Sequence, residues 1–348
     1  MKKLRYILFT VSFLTISLSI FAQDIHFSQF YMSPLNLNPA LTGVSNCNTR
    51  VIANYRNQWA PVLKSNAYNT YSVSYDQKMP VGRTDYFGIG GAFMGDVAGA
   101  SRFGTIQGKL SASYSKKMGG YRKKAHFLVI GAEGAFSQRR ISQSDLLFGD
   151  GINPISGVYE GTSDDVSRPN FLFADVSAGL LWFSVLDEYT NFYAGMAFHH
   201  LNQANQTFYE SSQYVPLWTK FTFHAGGQFE IQPRVSFLPN FVVMLQGPHV
   251  EANLGTSVRF AMGNSRSNQQ GFQIGGWYRL GTNYDSKIHS DAVILSTRFD
   301  YREFGIGLSY DINISKLRQA SFGNNSLELS LSYNICGPEH RGIYCPKF

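Results

Sequence analysis

From about residue 50 to residue 335, apolar and polar side chains alternate in stretch after stretch. Between Phe304 and Ser315, Phe304, Ile306, Leu308, Tyr310, Ile312 and Ile314 take one phase. Gly305, Gly307, Ser309, Asp311, Asn313 and Ser315 take the other. The same pattern runs through Val250–Phe260, Ile106–Tyr114, Phe221–Ile231 and Leu327–Tyr333. Successive side chains on a strand point to opposite faces, so each stretch is a strand with one greasy and one polar side. The pattern predicts fourteen strands, near 50–59, 67–79, 85–96, 104–118, 124–141, 170–184, 189–201, 219–231, 235–246, 249–262, 270–280, 290–301, 304–314 and 325–335. Most are far longer than the five or six residues usual in globular sheets. They suit the roughly 9–11 residues of a tilted membrane-spanning strand.

The composition of the two faces decides what surrounds them. A soluble sandwich would carry abundant Lys and Glu on its outer faces. Here only 15% of residues are charged, against roughly 25% in soluble domains. The polar faces carry mostly Ser, Thr, Gly, Asn and Gln, as a wetted lumen would. Lipid contact demands that every backbone group be paired, which a closed barrel achieves. The expected fold is therefore all-β: a transmembrane antiparallel β-barrel of about 14 strands with a short N-terminal periplasmic segment.

Connection lengths agree. With an even strand number both termini lie on the periplasmic side, and odd-numbered connections face outward and are longer. The two longest, Ser142 to Pro169 and Asn202 to Trp218, are odd-numbered; those at Val185–Glu188, Pro233 and Arg302 are short and even-numbered. Gly247-Pro248 is a short outward exception. Trp59, Trp182 and Trp218 fall near strand ends, where an interfacial girdle lies. Trp277 falls mid-strand on the polar face, without explanation at this level.

Residues 1–22 read as a secretory signal: Lys2, Lys3 and Arg5, an apolar stretch from Tyr6 to Phe21, then Ala22 before the cut. Losing them leaves 27 basic against 23 acidic residues, too mild an excess to name an acidic partner. The basic residues are scattered, so nucleic acid is not expected. Three cysteines, Cys47, Cys336 and Cys345, permit one bridge. Cys47 precedes the first strand and Cys336 follows the last, and these strands adjoin in a closed barrel. Cys47 could thus fasten the seam to Cys336 or Cys345; a local Cys336–Cys345 link or three free thiols are the alternatives.

No catalytic constellation, cofactor motif or metal site is legible. His199 and His200 are strand neighbours expected to face opposite sides. Asp164-Asp165 lies in the longest outward loop. Gly88-Ile89-Gly90-Gly91 sits inside a strand, without the helix that phosphate binding requires, and suits lumen packing or close strand approach. Enzyme activity is not expected. Lys109, Glu230, Glu251 and Arg259 fall on polar faces and are expected to line the lumen.

Asp24 to Gly43, DIHFSQFYMSPLNLNPALTG, breaks the alternation. Pro34 and Pro39 disfavour helix and central strand. Leaving so many aromatics in water is costly, so the segment is expected to be ordered, tucked into or beneath the barrel mouth. Here the chain resembles the PorP/SprF family of type IX secretion system outer-membrane proteins. The matching stretches are HFSQFYMSPLNLNPALTG (His26 to Gly43), YRNQW (Tyr55 to Trp59), GLSYDINISKLRQAS (Gly307 to Ser321) and LELSLSYNI (Leu327 to Ile335), with a Cys-Pro-Lys-Phe terminus.

The resemblance implies a non-enzymatic barrel of the secretion and gliding apparatus of Bacteroidetes-type bacteria. Such a protein docks or helps deliver secreted proteins with a type-B C-terminal domain, often adhesins. It also implies periplasmic ring lipoproteins or a peptidoglycan-linked partner, besides outer-membrane lipid. Phe27, Ser28, Gln29, Phe30, Tyr31, Pro34, Leu37, Asn38 and Pro39 are the partner-binding candidates. The expected organisation is a signal at 1–22, a periplasmic segment at 23–49, a barrel at 50–335 and a periplasmic tail at 336–348. The alternative function is an outer-membrane channel or transporter for small or hydrophobic solutes.

Overall fold

The computed structural model describes residues 24–336, apart from 121–123, 147–150, 154–155, 159, 161–166, 188–189, 210–213, 263–269 and 283–286 in the connections. The signal sequence, Asp164-Asp165, Cys345 and the tail from 337 lie outside the described residues.

Fourteen strands form one closed antiparallel barrel. They are β1 (Thr49–Gln58), β2 (Tyr68–Val81), β3 (Asp85–Ala98), β4 (Phe103–Gly119), β5 (Ala125–Arg140), β6 (Asn170–Val185), β7 (Asn191–His199), β8 (Lys220–Gln232), β9 (Val235–Gln246), β10 (His249–Ala261), β11 (Gln270–Thr282), β12 (Ile288–Tyr301), β13 (Phe304–Asn313) and β14 (Asn324–Ile335). Each pairs with its sequence neighbours, and β1 closes on β14 from Thr49↔Ile335 to Gln58↔Ser326. No edge remains unpaired, which is what a sheet in hydrocarbon requires.

Burial is inverted relative to a soluble protein. On β13, Phe304, Ile306, Leu308 and Tyr310 are exposed, whereas Gly305, Gly307, Ser309 and Asp311 are buried. Leu110, Phe136 and Leu172 are each at least three-quarters exposed. The apolar phase thus faces outward, where it meets lipid. Aromatic pairs sit at strand ends: Trp59 against Tyr68 and Trp182 against Phe192, each with ring centroids 5.3 Å apart.

Connections after odd-numbered strands leave one rim and include the two longest, 141–169 and 200–219; we call this the long-loop rim. The other, short-turn rim includes the two-residue turns 233–234 and 302–303. Arg234 and Arg302 take left-handed backbone there, as tight hairpins need. At the short-turn rim a disulfide joins Cys47 to Cys336, with Cα atoms 4.1 Å apart.

The core is inside the barrel. It consists of Phe30, Tyr31, Met32, Leu37, Ala40, Leu41 and Val44 packed on wall residues that include Phe127, Val129, Leu181, Phe183, Val242, Trp277 and Ile294. The sequence reading expected a wetted lumen. On the halves of β5 and β6 nearest the short-turn rim the inward phase is instead apolar, with Phe127, Val129, Leu181 and Phe183, because residues from outside the barrel strands pack against it.

Candidate functional site

The filling is the N-terminal segment. It does not hang beneath the barrel but is threaded through it from rim to rim. At the long-loop rim the Asp24 N–H donates to Gln246 Oε1 (2.9 Å) at the end of β9. The Asp24 carboxylate meets His200, just past β7, and lies 3.9 Å from Lys220 Nζ at the start of β8. At the short-turn rim, Lys78 Nζ donates to the Ser45 carbonyl (2.8 Å) before the chain enters β1 through Cys47.

Between these ends the segment makes three short helical turns, Phe30–Met32, Pro34–Leu37 and Pro39–Leu41. Proline suits the first helical position because its missing N–H would be unsatisfied there anyway. Asn38 caps the last turn, its Oδ1 accepting the Ala40 N–H at 2.8 Å. Such a chain has few internal backbone bonds, so the barrel wall must satisfy the rest.

Two charged clusters do so. Near the long-loop rim, the Glu328 carboxylate accepts the Ser28 and Gln29 N–H groups (2.8 and 2.9 Å), and Asp311 accepts the Ser28 hydroxyl (2.7 Å). Arg56 donates to the His26 carbonyl (3.0 Å), and Arg279 pairs with Asp311 at 2.8 Å. Near the other rim, Arg50 holds Asp76 through two bonds of 2.9 Å and donates to the Leu41 carbonyl (3.1 Å). Asp76 in turn accepts the Gly43 N–H at 2.7 Å. Buried charges are tolerated only when paired and hydrogen-bonded, and here the segment supplies part of that pairing.

The middle is held by shape and one amide. Asn38 is fully buried, and its Nδ2 lies 3.1 and 3.2 Å from the Leu180 and Met196 carbonyls and 3.0 Å from His224 Nε2. Trp277 stacks on Tyr31 with centroids 5.3 Å apart and donates to Asn240 at 2.5 Å. This explains an indole on the polar phase: the segment gives its apolar face a partner. Glycines let the backbones approach. A Cβ on Gly88 would stand 2.3 Å from the Thr42 carbonyl oxygen, and one on Gly131 would stand 2.4 Å from Ala40 N. The Gly88–Gly91 run is therefore a seat for the segment.

The nine partner-binding candidates, Phe27, Ser28, Gln29, Phe30, Tyr31, Pro34, Leu37, Asn38 and Pro39, are all buried in this way. They were expected at or beneath the mouth, facing machinery. Their partners here are this chain's own wall, which removes the cost of exposing them. Of the lumen candidates, Lys109 and Glu251 are buried inside: Lys109 Nζ donates to the Leu35 carbonyl (3.0 Å), and Glu251 lies 3.2 Å from His26 Nδ1. Arg259 pairs with Asp300. Glu230 shares the inward phase of its cross-strand partner Ser236 but stands exposed near the short-turn rim, accepting the Arg234 N–H at 3.4 Å.

His199 and His200 both turn inward, against the alternation. His200 has a left-handed φ of 59°, which swings the second ring back inside. Its two nitrogens meet Asp24 and Asp175. Burial alone would lower the His200 pKa, but these two carboxylates overrule it and raise it to about 9. Among the described residues no group of three His, Cys, Asp or Glu is placed to share a metal ion.

Above the segment, the long-loop half of the lumen keeps a cavity of about 110 Å³. Lys109, Glu133, Arg139, Phe173 and His199 are among its lining residues. Arg139 and Glu133 escaped the sequence reading. The faint signal for them was two charges on the inward phase of one strand otherwise poor in charge.

A family model described as type IX secretion system membrane protein PorP/SprF matches residues 19–333. Among solved structures, the chain is similar to the CymD monoaromatic hydrocarbon channel at 13% identity, covering 92% of this chain and 96% of that one, with a TM-score of 0.46. It is similar to the TodX monoaromatic hydrocarbon channel deltaS2 mutant at 11% identity, 86% and 93% coverage and a TM-score of 0.45. It is also similar to the toluene transporter TbuX of Ralstonia pickettii at 9% identity, 87% and 93% coverage and a TM-score of 0.44. No curated protein matches the chain.

Proposed function

The chain belongs to the PorP/SprF family of type IX secretion system membrane proteins, and on that premise we propose that it is a non-enzymatic outer-membrane barrel that docks a secreted protein at the cell surface. The observation that carries this reading is the threaded segment. It fills the lumen, is pinned at both rims and satisfies buried charges of the wall. A barrel so closed serves better as a rigid platform than as an open solute path.

The long-loop rim, with connections 141–169 and 200–219, is the docking face. Its cargo is the type-B C-terminal domain of a secreted protein such as an adhesin. The short-turn rim and the tail beyond Cys336 face the periplasm, towards ring lipoproteins or a peptidoglycan-linked partner. The test is co-isolation from mildly solubilised outer membranes, paired with deletion of the gene. Docking expects a secreted C-terminal domain in the isolate and loss of its surface display on deletion. Intact display, together with steady selective conductance of the purified barrel in planar bilayers, would overturn docking in favour of solute transport.

A further inference from the structure

We propose that the seam side of the long-loop rim binds the phosphate-bearing glycolipid of the outer leaflet. Because β1 pairs with β14, connections 59–67 and 314–323 are neighbours there, and their helical turns, Ala60–Leu63 and Arg318–Ser321, lie side by side. Together the two connections carry Lys64, Lys316 and Arg318 and no carboxylate. All three cations are exposed, and none forms an ion pair with a described residue. The positive charge is local to the seam. Connections 141–169 and 200–219 of the same rim carry six carboxylates and one arginine.

The outward phase locates the membrane boundary beneath these cations. Tyr55 on β1 and Tyr310 on β13 are exposed on the lipid side, and each turns its hydroxyl to an amide. Tyr55 donates to Asn69 Oδ1 at 2.8 Å, and Tyr310 donates to Asn324 Oδ1. Asn57 donates to the same Asn69 oxygen at 2.7 Å. Phenol rings with their bodies in hydrocarbon and their tips on polar groups mark the interface. Asn324 also donates to the Ser321 carbonyl at 3.2 Å, which ties the turn at 318–321 to the lipid side of the wall. The three cations lie just beyond this row, at the level of headgroup phosphates.

Apolar side chains carry the lipid belt up among the cations. Val62 is 41%, Leu317 55% and Phe322 86% exposed, and Phe322 is the most exposed large apolar side chain among the described residues. Phe322 also holds a left-handed φ of 51°, which bulky side chains rarely adopt. Water is a costly neighbour for such groups, and the acyl chains that meet Tyr310 are at hand. An acidic protein would answer the cations but leave Phe322 beside lipid. A zwitterionic lipid would cover Phe322 but bring its own ammonium to three cations. A phosphorylated glycolipid answers both: its acyl chains take Leu317 and Phe322, and its phosphates take Lys64, Lys316 and Arg318 in charge-assisted hydrogen bonds. The inference rests on the long-loop rim facing outward and is independent of cargo docking.

The test uses the full chain in detergent and purified bis-phosphorylated lipid A, with bound lipid counted by native mass spectrometry across a titration. Binding should saturate and be at least tenfold tighter than for lipid A stripped of its phosphates or for phosphatidylglycerol. The triple variant Lys64→Ser, Lys316→Ser, Arg318→Ser should lose at least tenfold. Arg83→Ser, which removes an exposed cation at the short-turn rim, should lose nothing. Heat-modifiable migration on gels reports that the variants are folded, and the phosphate comparison needs no variant. In vesicles of phosphatidylcholine brominated on its acyl chains, the emission that Phe322→Trp adds should be quenched relative to unbrominated vesicles. Binding indifferent to the phosphates, an equal or tighter hold on phosphatidylglycerol, an unaffected triple variant, an equal loss from Arg83→Ser, or unquenched Phe322→Trp emission would each overturn the surface. Loss of a co-isolating protein from the triple variant, with lipid A binding intact, would assign the cations to that protein instead. Failure of any secreted domain to co-isolate, with lipid A binding as expected, would overturn docking alone.

Discussion

Asn38 offers the sharpest test of the threaded lumen. Its side chain accepts one hydrogen bond, from Ala40, and offers two hydrogens to three acceptors on β6, β7 and β8. At most three bonds are therefore made at once. At about 1 kcal/mol net for each, Asn38→Ala removes about 3 kcal/mol from the docked segment. That corresponds to roughly a hundredfold increase in segment opening, since every 1.4 kcal/mol is a factor of ten. Asn38→Asp keeps the Ala40 bond but loses both donors and sets a carboxylate against two carbonyls, so it should open the segment at least as far. Native-state hydrogen exchange in detergent reads this directly. Amides from Phe30 to Gly43 should exchange about a hundred times faster in the variant, while β10–β14 amides stay protected. Unchanged exchange across Phe30–Gly43 would refute the claim that this amide anchors the segment, and uniform acceleration over the whole barrel would refute its independence from the wall.

Other expectations follow from the same geometry. Gly131→Val, whose added atoms would strike Ala40 and Pro39, should expel the segment and raise conductance in planar bilayers. Gly108→Ala meets nothing within 4 Å and should leave conductance unchanged. The latch at Asp24 and His200 should depend on pH. His200 is raised from 6.5 to about 9, so its contribution is complete below about pH 6.5 and is lost as pH rises through about 9. Burial opposes the Asp24 charge, but His200, Lys220 and Arg139 hold its carboxyl well below the usual range, so that contribution persists into acid. Trimming of the N-terminus by an aminopeptidase should therefore accelerate above about pH 9, and His200→Ala should trim quickly at pH 7 as well; a flat profile in the unaltered protein would contradict the latch. Peptide mapping without reductant should recover Cys47 linked to Cys336, and a Cys336–Cys345 fragment would contradict the seam bridge. An epitope placed ahead of Asp24 should be accessible from the same side of the membrane as one inserted at Ser144, because Asp24 and Ser144 both lie at the long-loop rim.

Local pattern sufficed for the wall. A period of two is written in consecutive residues, and the inward and outward phases of each strand follow from it without knowledge of any other strand. All fourteen strands form within a few residues of the spans expected from alternation. Closure follows too, because lipid leaves no tolerable place for an edge. The breaks in the pattern were readable as breaks but not as contacts. Trp277 has no explanation in its own strand, and the inward Phe127, Val129, Leu181 and Phe183 depart from a polar lumen, because their partners, Tyr31, Leu37 and Leu41, stand about 90 to 250 positions away. His200 turned inward through a single left-handed residue that no spacing announces. The path of Asp24–Ser45 through the lumen was decided only in three dimensions. An irregular chain carries no period of its own, and its course is set by glycines, carboxylates and amides that become neighbours when the sheet closes around it.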